Sequence, residues 1–124
     1  MNTRDPKLTV LQFNEYINNQ DADELGKLLS EGTKLVEGEE TTKTGKAEVE
    51  ISWIEFFKLV PDYRNHFTRI ESKGDRVVVI GFSTCSNELL AGPALWTASV
   101  KDDLIDEWRI LEDTRENRAS LGIN

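Results

Sequence analysis

The stretch Trp96–Thr114, WTASVKDDLIDEWRILEDT, decides the fold that the sequence predicts. Two segments rich in β-branched and aromatic residues, Leu95–Lys101 and Leu104–Asp113, flank the turn residues Asp102 and Asp103. Apolar and polar side chains alternate along the second segment, which is the period of a β-strand. The stretch therefore predicts two antiparallel strands joined by a tight turn.

Two further segments of the same kind come before this pair. They are Tyr63–Glu71 and Arg76–Ser86, and turn signals at Lys73-Gly74-Asp75 and Ala91-Gly92-Pro93 separate the segments from one another. Four such segments in succession, each followed by a short turn, predict an antiparallel meander.

The first half of the chain has helical spacing instead. Asp5 before Pro6 predicts an N-cap and the first position of a helix that continues to about Asn18. A third helix is predicted from about Lys46, where apolar residues recur every three or four positions. It ends at Pro61, because the residue before a proline avoids the helical conformation.

A short second helix and a weak strand lie between these two helices. Asp21 and Glu24 have the spacing of a capping box, and Gly32 is placed to end the helix that follows. The segment Thr33–Glu40 alternates weakly and predicts a short strand, whereas residues 39–46 are polar and predict a turn or ragged hairpin.

Three helices followed by a meander predict an α+β fold, in which the helices cover one face of a curved, mostly antiparallel sheet. The chain has 124 residues, the size of one domain, so we expect a single domain over residues 1–124. Residues 115–124 follow the last predicted strand and are expected to form a loosely held tail.

Composition excludes several classes of function. With 15 basic and 23 acidic residues, the net charge is -8, which argues against binding nucleic acid. One cysteine and one histidine exclude an internal disulfide and a histidine-rich metal site, and no glycine-rich phosphate loop is present. We therefore expect no metal and no cofactor. No apolar run is long enough to span a membrane and no signal peptide is evident, so a cytoplasmic location is expected.

Five short strings occur along the chain in the following order: Asn19-Gln20-Asp21, Thr44-Gly45-Lys46, Pro61-Asp62-Tyr63, Gly74-Asp75-Arg76-Val77-Val78 and Ile105-Asp106-Glu107-Trp108-Arg109. With the order of elements, they resemble the nuclear transport factor 2-like superfamily, which includes ketosteroid isomerases, limonene-epoxide hydrolases and SnoaL-like polyketide cyclases. The resemblance extends from Leu8 to Asp113. It implies a cone-shaped α+β fold, a deep pocket between helices and sheet, and a homodimer through the outer sheet face.

The resemblance to ketosteroid isomerases implies candidate catalytic residues. Counting from Asp21, the general base of those enzymes corresponds to Glu37, for which the alternative is a solvated strand glutamate. The tyrosine that they use to hold an enolate oxygen corresponds to Phe13, and their second acid falls near Trp96. Neither position carries a donor, although Tyr16 lies almost one helical turn along. Losing one such donor costs roughly 3–4 kcal/mol, so isomerase activity of that type is not expected.

The other two enzyme groups are implied less directly. Epoxide hydrolases have an acid directly after a Trp-Arg pair in their last strand, and Ile110 occupies that position here. Only the final acid of the pattern, Asp113, is present, which argues against that chemistry. SnoaL-like cyclases need few obligatory groups, and the sequence does not exclude them.

His66 is the one side chain that titrates near neutral pH. Alternation places it with Ile70 on one face of its strand, with Phe67 on the other. If the face of His66 lines the pocket, His66 and Glu37 form an acid–base pair. The alternative is a partly exposed histidine on the outer face or in a dimer contact.

Aromatic residues are concentrated where the helices and the sheet should meet. Those expected to face this space are Trp53, Phe56, Phe57, Phe82 and Trp96. From the last strand, Trp108 and Glu112 are the residues expected to contact a ligand. Aromatic rings also make ordinary cores, but their concentration favours an apolar ligand if a cavity exists.

Three functions remain open from the sequence. The first is a domain that binds a hydrophobic carbonyl compound, with acid–base chemistry by Glu37, His66 or Tyr16. The second is a noncatalytic carrier or sensor with an apolar cavity. The third is a dimeric protein-interaction domain, which would have a filled pocket and an exposed apolar patch.

Overall fold

In the computed structural model, which describes residues 1–123, four helices pack on a six-stranded sheet. The helices are α1 (Pro6–Asn19), α2 (Ala22–Lys27), α3 (Lys46–Leu59) and α4 (Arg115–Ser120). The strands are β1 (Leu29–Glu37), β2 (Glu40–Thr44), β3 (Arg64–Lys73), β4 (Arg76–Thr84), β5 (Gly92–Lys101) and β6 (Leu104–Leu111). The sheet order is β2-β1-β6-β5-β4-β3.

The helix boundaries follow from local sequence, with one exception. Asp5 caps α1 by accepting a hydrogen bond from the backbone N–H of Lys7, and Asp21 caps α2 through the N–H of Glu24. These caps confirm the predicted starts. The prediction that Gly32 ends α2 is wrong. The helix stops at Lys27, because β1 is already pairing with β6 from Leu29 onward.

The α+β prediction is confirmed, and the sheet is mixed. Strands β3 to β6 form the predicted antiparallel meander. The N-terminal β1 then inserts beside β6 in parallel and forms an antiparallel hairpin with β2 on its other side. This parallel pairing is long-range and leaves no pattern in the local sequence. Its consequence is that the ends of β1 and β6 lie side by side.

The sheet has an inner face toward the helices and an outer face away from them. Alternation separates the two along β4, where Val77 and Val79 pack in the main core and Val78 packs in a separate outer cluster. The same holds for β6, in which Trp108 and Ile110 face inward and Leu111 faces outward, as predicted.

A bulge in β3 changes which of its residues face the core. Phe67 pairs with Gly81, whereas the next residue, Thr68, has no opposite residue in β4. Simple alternation places Ile70 with His66, but Ile70 packs in the main core and His66 is exposed. The predicted face is therefore wrong for Ile70, because one inserted residue reverses the alternation beyond it.

The C-terminal segment is ordered where the sequence predicts a loosely held tail. Residues 115–120 form α4, which Thr114 caps by accepting a hydrogen bond from the N–H of Asn117. Beyond the helix, Ile123 is only 2% exposed, and it packs on the outer sheet face. Position 124 lies outside the described residues.

A candidate ligand-binding cavity

A cavity of about 600 Å³ lies between α3 and the inner face of the sheet. Its walls come from the ends of β1, β4 and β6, the starts of β3 and β5, and the loop 89–91. This volume falls within the range of roughly 300–1,000 Å³ that small-molecule sites occupy.

Aromatic rings form much of the cavity wall. Trp53 and Phe56 come from α3 and lie edge to face with ring centroids 6.0 Å apart. Trp96 and Trp108 come from β5 and β6, where the register places them on the same inner face. All three tryptophans of the chain therefore line the cavity.

Three neutral polar side chains form one hydrogen-bonded group at the β3–β4 side of the cavity. We call Tyr63, Asn65 and Ser83 the polar trio. The hydroxyl of Ser83 donates to Asn65 Oδ1 over 2.8 Å, and the hydroxyl of Tyr63 lies 3.0 Å from Ser83 Oγ. Because the one hydrogen of Ser83 goes to Asn65, Tyr63 donates to Ser83. Each member is less than 10% exposed.

Helix α1 fixes the trio through its last turn. The backbone N–H of Asn65 donates to Asn18 Oδ1 over 2.7 Å, and Asn18 Nδ2 donates back to Asn65 O over 2.9 Å. Asn14 also donates to Asn65 O. This pairing satisfies the buried backbone at the start of β3 and sets the direction of the Asn65 side chain.

The trio stays uncharged at neutral pH. Burial raises the pKa of Tyr63, an effect that its hydrogen-bonding interactions with Ser83 and Asn65 only partly offset. The phenol therefore keeps its proton over the whole neutral range. A ligand at this side of the cavity meets neutral hydrogen-bonding groups and no buried charge.

Charged side chains lie at the opposite side of the cavity. Glu37 is at the end of β1, opposite the inward-facing Ile110, and it lines the cavity while remaining exposed to solvent. Lys43 and Glu112 also line this side and are exposed. We call these three residues the rim. The structure thus places Glu37 and Glu112, as well as Trp53, Trp96 and Trp108, at one cavity.

Two of the predicted site residues lie on the other face of the sheet. His66 is exposed there, its ring stacked on that of Phe82 with centroids 4.8 Å apart, and its Nε2 is 3.0 Å from Thr84 Oγ1. Neither His66 nor Phe82 belongs to the cavity lining. The structure therefore does not bring His66 and Glu37 together, and the expectation of an acid–base pair is corrected.

Tyr16 and Phe57 lie outside the cavity lining as well. The hydroxyl of Tyr16 accepts a hydrogen bond from Gln12, one helical turn earlier in α1. Phe57 is 7% exposed and packs against Trp53 in the main core. Phe13 is also fully buried, in contact with the rings of Trp53 and Trp108.

Sequence reasoning missed the polar trio. One signal was available, since Asn65 interrupts the apolar positions of the inner face of β3, and a polar residue there needs partners. Its partners Asn18 and Ser83 come from distant parts of the chain, so no local pattern points to them. Within residues 1–123, no group of three or more potential ligand side chains is close enough to hold a metal ion.

Comparison with solved structures shows the same architecture elsewhere. A protein from Shewanella denitrificans assigned as a SnoaL-like polyketide cyclase aligns over 94% of this chain and 96% of its own, with a TM-score of 0.76 and 14% identity. An NTF2-like protein of unknown function from Cytophaga hutchinsonii aligns over 90% and 93%, with a TM-score of 0.73 and 13% identity. This chain has the nuclear transport factor 2-like fold.

A third structure with the nuclear transport factor 2-like fold was obtained with a small molecule. TerC, co-crystallised with polyporic acid, aligns over 94% of this chain and 97% of its own, with a TM-score of 0.74 and 14% identity. No family model and no curated protein matches the sequence. None of the helices in residues 1–123 combines the length and apolarity that crossing a membrane requires.

Proposed function

We propose that the protein binds a flat, uncharged, largely apolar small molecule in the cavity, with an oxygen of the ligand at the polar trio. The single observation that carries this proposal is the composition of the wall. Aromatic rings from α3, β5 and β6 surround the space. The buried hydroxyl and amide groups at it belong to the neutral Tyr63, Asn65 and Ser83, beside the indole N–H of Trp53, which has no hydrogen-bond partner within residues 1–123.

The shape of the sheet gives the length of the proposed ligand. The trio lies at the start of β3 and the end of β4, and the rim lies at β1, β2 and the end of β6, with β5 between β4 and β6. Three strand spacings separate β4 from β1, which corresponds to ~14 Å at ~4.8 Å per strand. A molecule of two to four fused or linked rings fits this span.

Charge favours neutral ligands over anions. The rim carries two carboxylates, Glu37 and Glu112, against the single Lys43, and the chain as a whole has a net charge of -8. A carboxylate or phosphate would enter against this potential and would find no cation at the polar trio. That TerC, a protein similar in structure to this chain, was co-crystallised with polyporic acid supports a small-molecule ligand.

The test is a titration followed by intrinsic tryptophan fluorescence, because all three tryptophans line the cavity. The probes are a matched set of fluorenone, fluorene and a fluorenone carboxylate. Fluorenone should bind more tightly than fluorene by roughly two- to tenfold, the worth of one hydrogen bond. The carboxylate should bind more weakly than fluorenone. Equal affinity for all three would contradict the proposal.

Two variants test whether the ligand binds in the cavity. Ala94 is 7% exposed and lines the cavity, so Ala94→Phe fills part of it. Ala47 is exposed on α3, and Ala47→Phe adds the same ring away from the cavity. Ala94→Phe should lose binding while Ala47→Phe keeps it, with circular dichroism confirming that both fold. Equal binding by the two variants would place the ligand elsewhere.

A second candidate function is proton transfer by Glu37, because this carboxylate lies on the inner face and lines the cavity. It would remove a proton from the carbon beside a ketone, exchange that proton with solvent, and deliver a solvent-derived proton to the enolate carbon. Exchange of that hydrogen in tetralone, followed by NMR in heavy water, measures this step. Glu37→Gln should abolish any acceleration and Glu112→Gln should keep it. If the wild-type protein gives no acceleration, the cavity only binds.

A further inference from the structure

The cavity lies at one end of the sheet, and one connection of the meander crosses that end. Strands β1 and β6 finish there, and β4 turns there into β5. The other two connections of the meander, at residues 74–75 and 102–103, lie at the opposite end, because antiparallel strands reverse direction at each turn. The connection at the cavity end consists of residues 85–91, which we call the mouth loop.

The mouth loop carries two exposed leucines. Leu89 is 94% exposed and Leu90 is 39% exposed, although both line the apolar cavity. The loop is also long, since hairpin connections usually have about two to five residues and longer ones are often active-site lids. Two leucines at the opening of a cavity, with most of one side chain in water, are placed to cover an apolar molecule inside it.

Hydrogen bonds fix the first half of the mouth loop. Asp62, in the turn between α3 and β3, accepts one hydrogen bond from the backbone N–H of Ser86 over 2.8 Å and another from Ser86 Oγ over 3.3 Å. The thiol of Cys85 donates to the carbonyl oxygen of Asn87 over 3.2 Å. This half is therefore tied to the segment that carries Tyr63 of the polar trio.

The second half is hydrogen-bonded to the loop itself. The N–H of Leu89 donates to Asn87 Oδ1 and the N–H of Leu90 donates to Asn87 O, each over 3.0 Å. These bonds make a compact turn that holds both leucines and can move as one piece. At its far end, Gly92 has a φ of +121° and open space where a Cβ would be. A glycine in this conformation has the backbone freedom that a hinge requires.

We infer that the mouth loop is a lid, and that Leu89 and Leu90 turn inward and pack on the ligand when it binds. This inference rests on the function proposed above, since it requires an apolar molecule in the cavity. With the loop in its present position, such a molecule keeps part of its surface in water at the opening. Closure removes that surface and both leucines from water, which is favourable. A closed lid also delays the release of the ligand.

A ligand in the cavity is the molecule that these leucines fit. Both already belong to the cavity lining, so an inward rotation of the turn brings them onto its contents. The surroundings of the opening disfavour docking on an anionic membrane, because Glu88 of the loop and Glu37 and Glu112 of the rim are exposed carboxylates. Closure over a bound ligand requires no other partner.

The test measures the rates of fluorenone binding and release by stopped-flow tryptophan fluorescence. Leu89→Ser removes the apolar side chain from the lid and leaves the cavity wall unchanged. Because burying a leucine is worth a factor of ~10 or more in affinity, Leu89→Ser should release fluorenone about tenfold faster, with little change in the association rate. Leu59→Ser is the matched control, since Leu59 is 81% exposed on α3 and lies outside the cavity lining.

A second measurement follows the lid itself. A soluble paramagnetic agent broadens the methyl NMR signals of side chains that are exposed to solvent. The methyl signals of Leu89 should be broadened in the free protein and protected once fluorenone is bound. Those of Leu59 should be broadened equally in both states.

The outcomes separate the lid from the proposed function. If fluorenone binds but Leu89→Ser releases it at the wild-type rate, or the methyl groups of Leu89 stay exposed in the complex, the loop is not a lid although the cavity binds. Methyl groups of Leu89 that are protected before fluorenone is added would also overturn the inference. If the wild-type protein does not bind fluorenone, the proposed function fails and the lid fails with it.

Discussion

The ring of Phe13 lies 4.9 Å from the ring of Trp108, centroid to centroid. The resemblance to ketosteroid isomerases implies that Phe13 corresponds to their tyrosine. Phe13 is fully buried and also contacts Trp53 edge to face. The residue that would donate a hydrogen bond to an enolate in those enzymes is therefore part of the core here. A packed ring in this place supports a binding cavity without the isomerase oxyanion site.

Phe13→Tyr tests this reading. The added hydroxyl would enter a space that aromatic rings surround and would have to find a partner there. We expect a loss of about 1–3 kcal/mol in the free energy of unfolding, the usual cost of an unsatisfied buried polar group, with no isomerase activity gained. Urea denaturation and a steroid isomerisation assay measure the two effects. Unchanged stability together with new activity would contradict the account.

Alkaline pH should destabilise the protein through Tyr63. Its pKa is about 10 in the unfolded chain and is raised in the folded protein by burial, so the folded state disfavours the phenolate. The contribution of Tyr63 is complete below about pH 10 and is lost as the pH rises from there through the folded pKa. The difference in stability between wild type and Tyr63→Phe should therefore shrink or change sign above pH ~10. A constant difference up to the folded pKa would show that the phenol is not buried as described.

His66 should have no part in ligand binding. It lies on the outer face, stacked on Phe82, whereas the proposed ligand lies on the inner face. We expect His66→Ala to leave the affinity for fluorenone unchanged, while Ile110→Ala, which removes apolar surface from the cavity wall, lowers it several-fold. Fluorescence titration of both variants measures this. A larger loss in His66→Ala than in Ile110→Ala would contradict the placement of the site.

The bulge in β3 depends on Gly81. A Cβ at this position would lie 2.1 Å from the carbonyl oxygen of His66, so the backbone of β3 would have to move. We expect Gly81→Ala to lower the free energy of unfolding by about 1–3 kcal/mol, the usual cost of overpacking. Gly32 has open space around it and no strained φ, so Gly32→Ala should be neutral or stabilising by about 0.4–1 kcal/mol. Equal effects in the two variants would contradict the close contact.

The sequence predicted the elements better than it predicted their partners. Caps at Asp5 and Asp21, the stop at Pro61 and the turns at Gly74-Asp75 and Asp102-Asp103 are local signals, and the structure confirms each. The predicted turn at residues 91–93 is wrong, because Gly92 and Pro93 already pair with β4. The parallel pairing of β1 with β6 and the end of α2 before Gly32 depend on contacts between distant parts of the chain. Local propensity carries no information about these contacts.

The candidate site likewise contains residues that the sequence predicted and residues that it did not. Trp96, Trp108 and Glu37 were placed at the cavity by strand alternation and by the resemblance, and the structure brings them together. Alternation could not choose the face of His66, since the polarity of β3 is mixed on both sides. The polar trio was missed because Tyr63, Asn65 and Ser83 form their hydrogen-bonded group only when β3 and β4 pair.

The central claim is that a neutral flat molecule lies in the cavity with an oxygen at the polar trio. A crystal structure with fluorenone bound tests it most directly. We predict ligand density between the rings of Trp53, Trp96 and Trp108, with a ligand oxygen within about 3.2 Å of a donor or acceptor of the trio. Density outside the cavity, or a ligand oxygen directed to the rim and away from Tyr63, Asn65 and Ser83, would contradict the account.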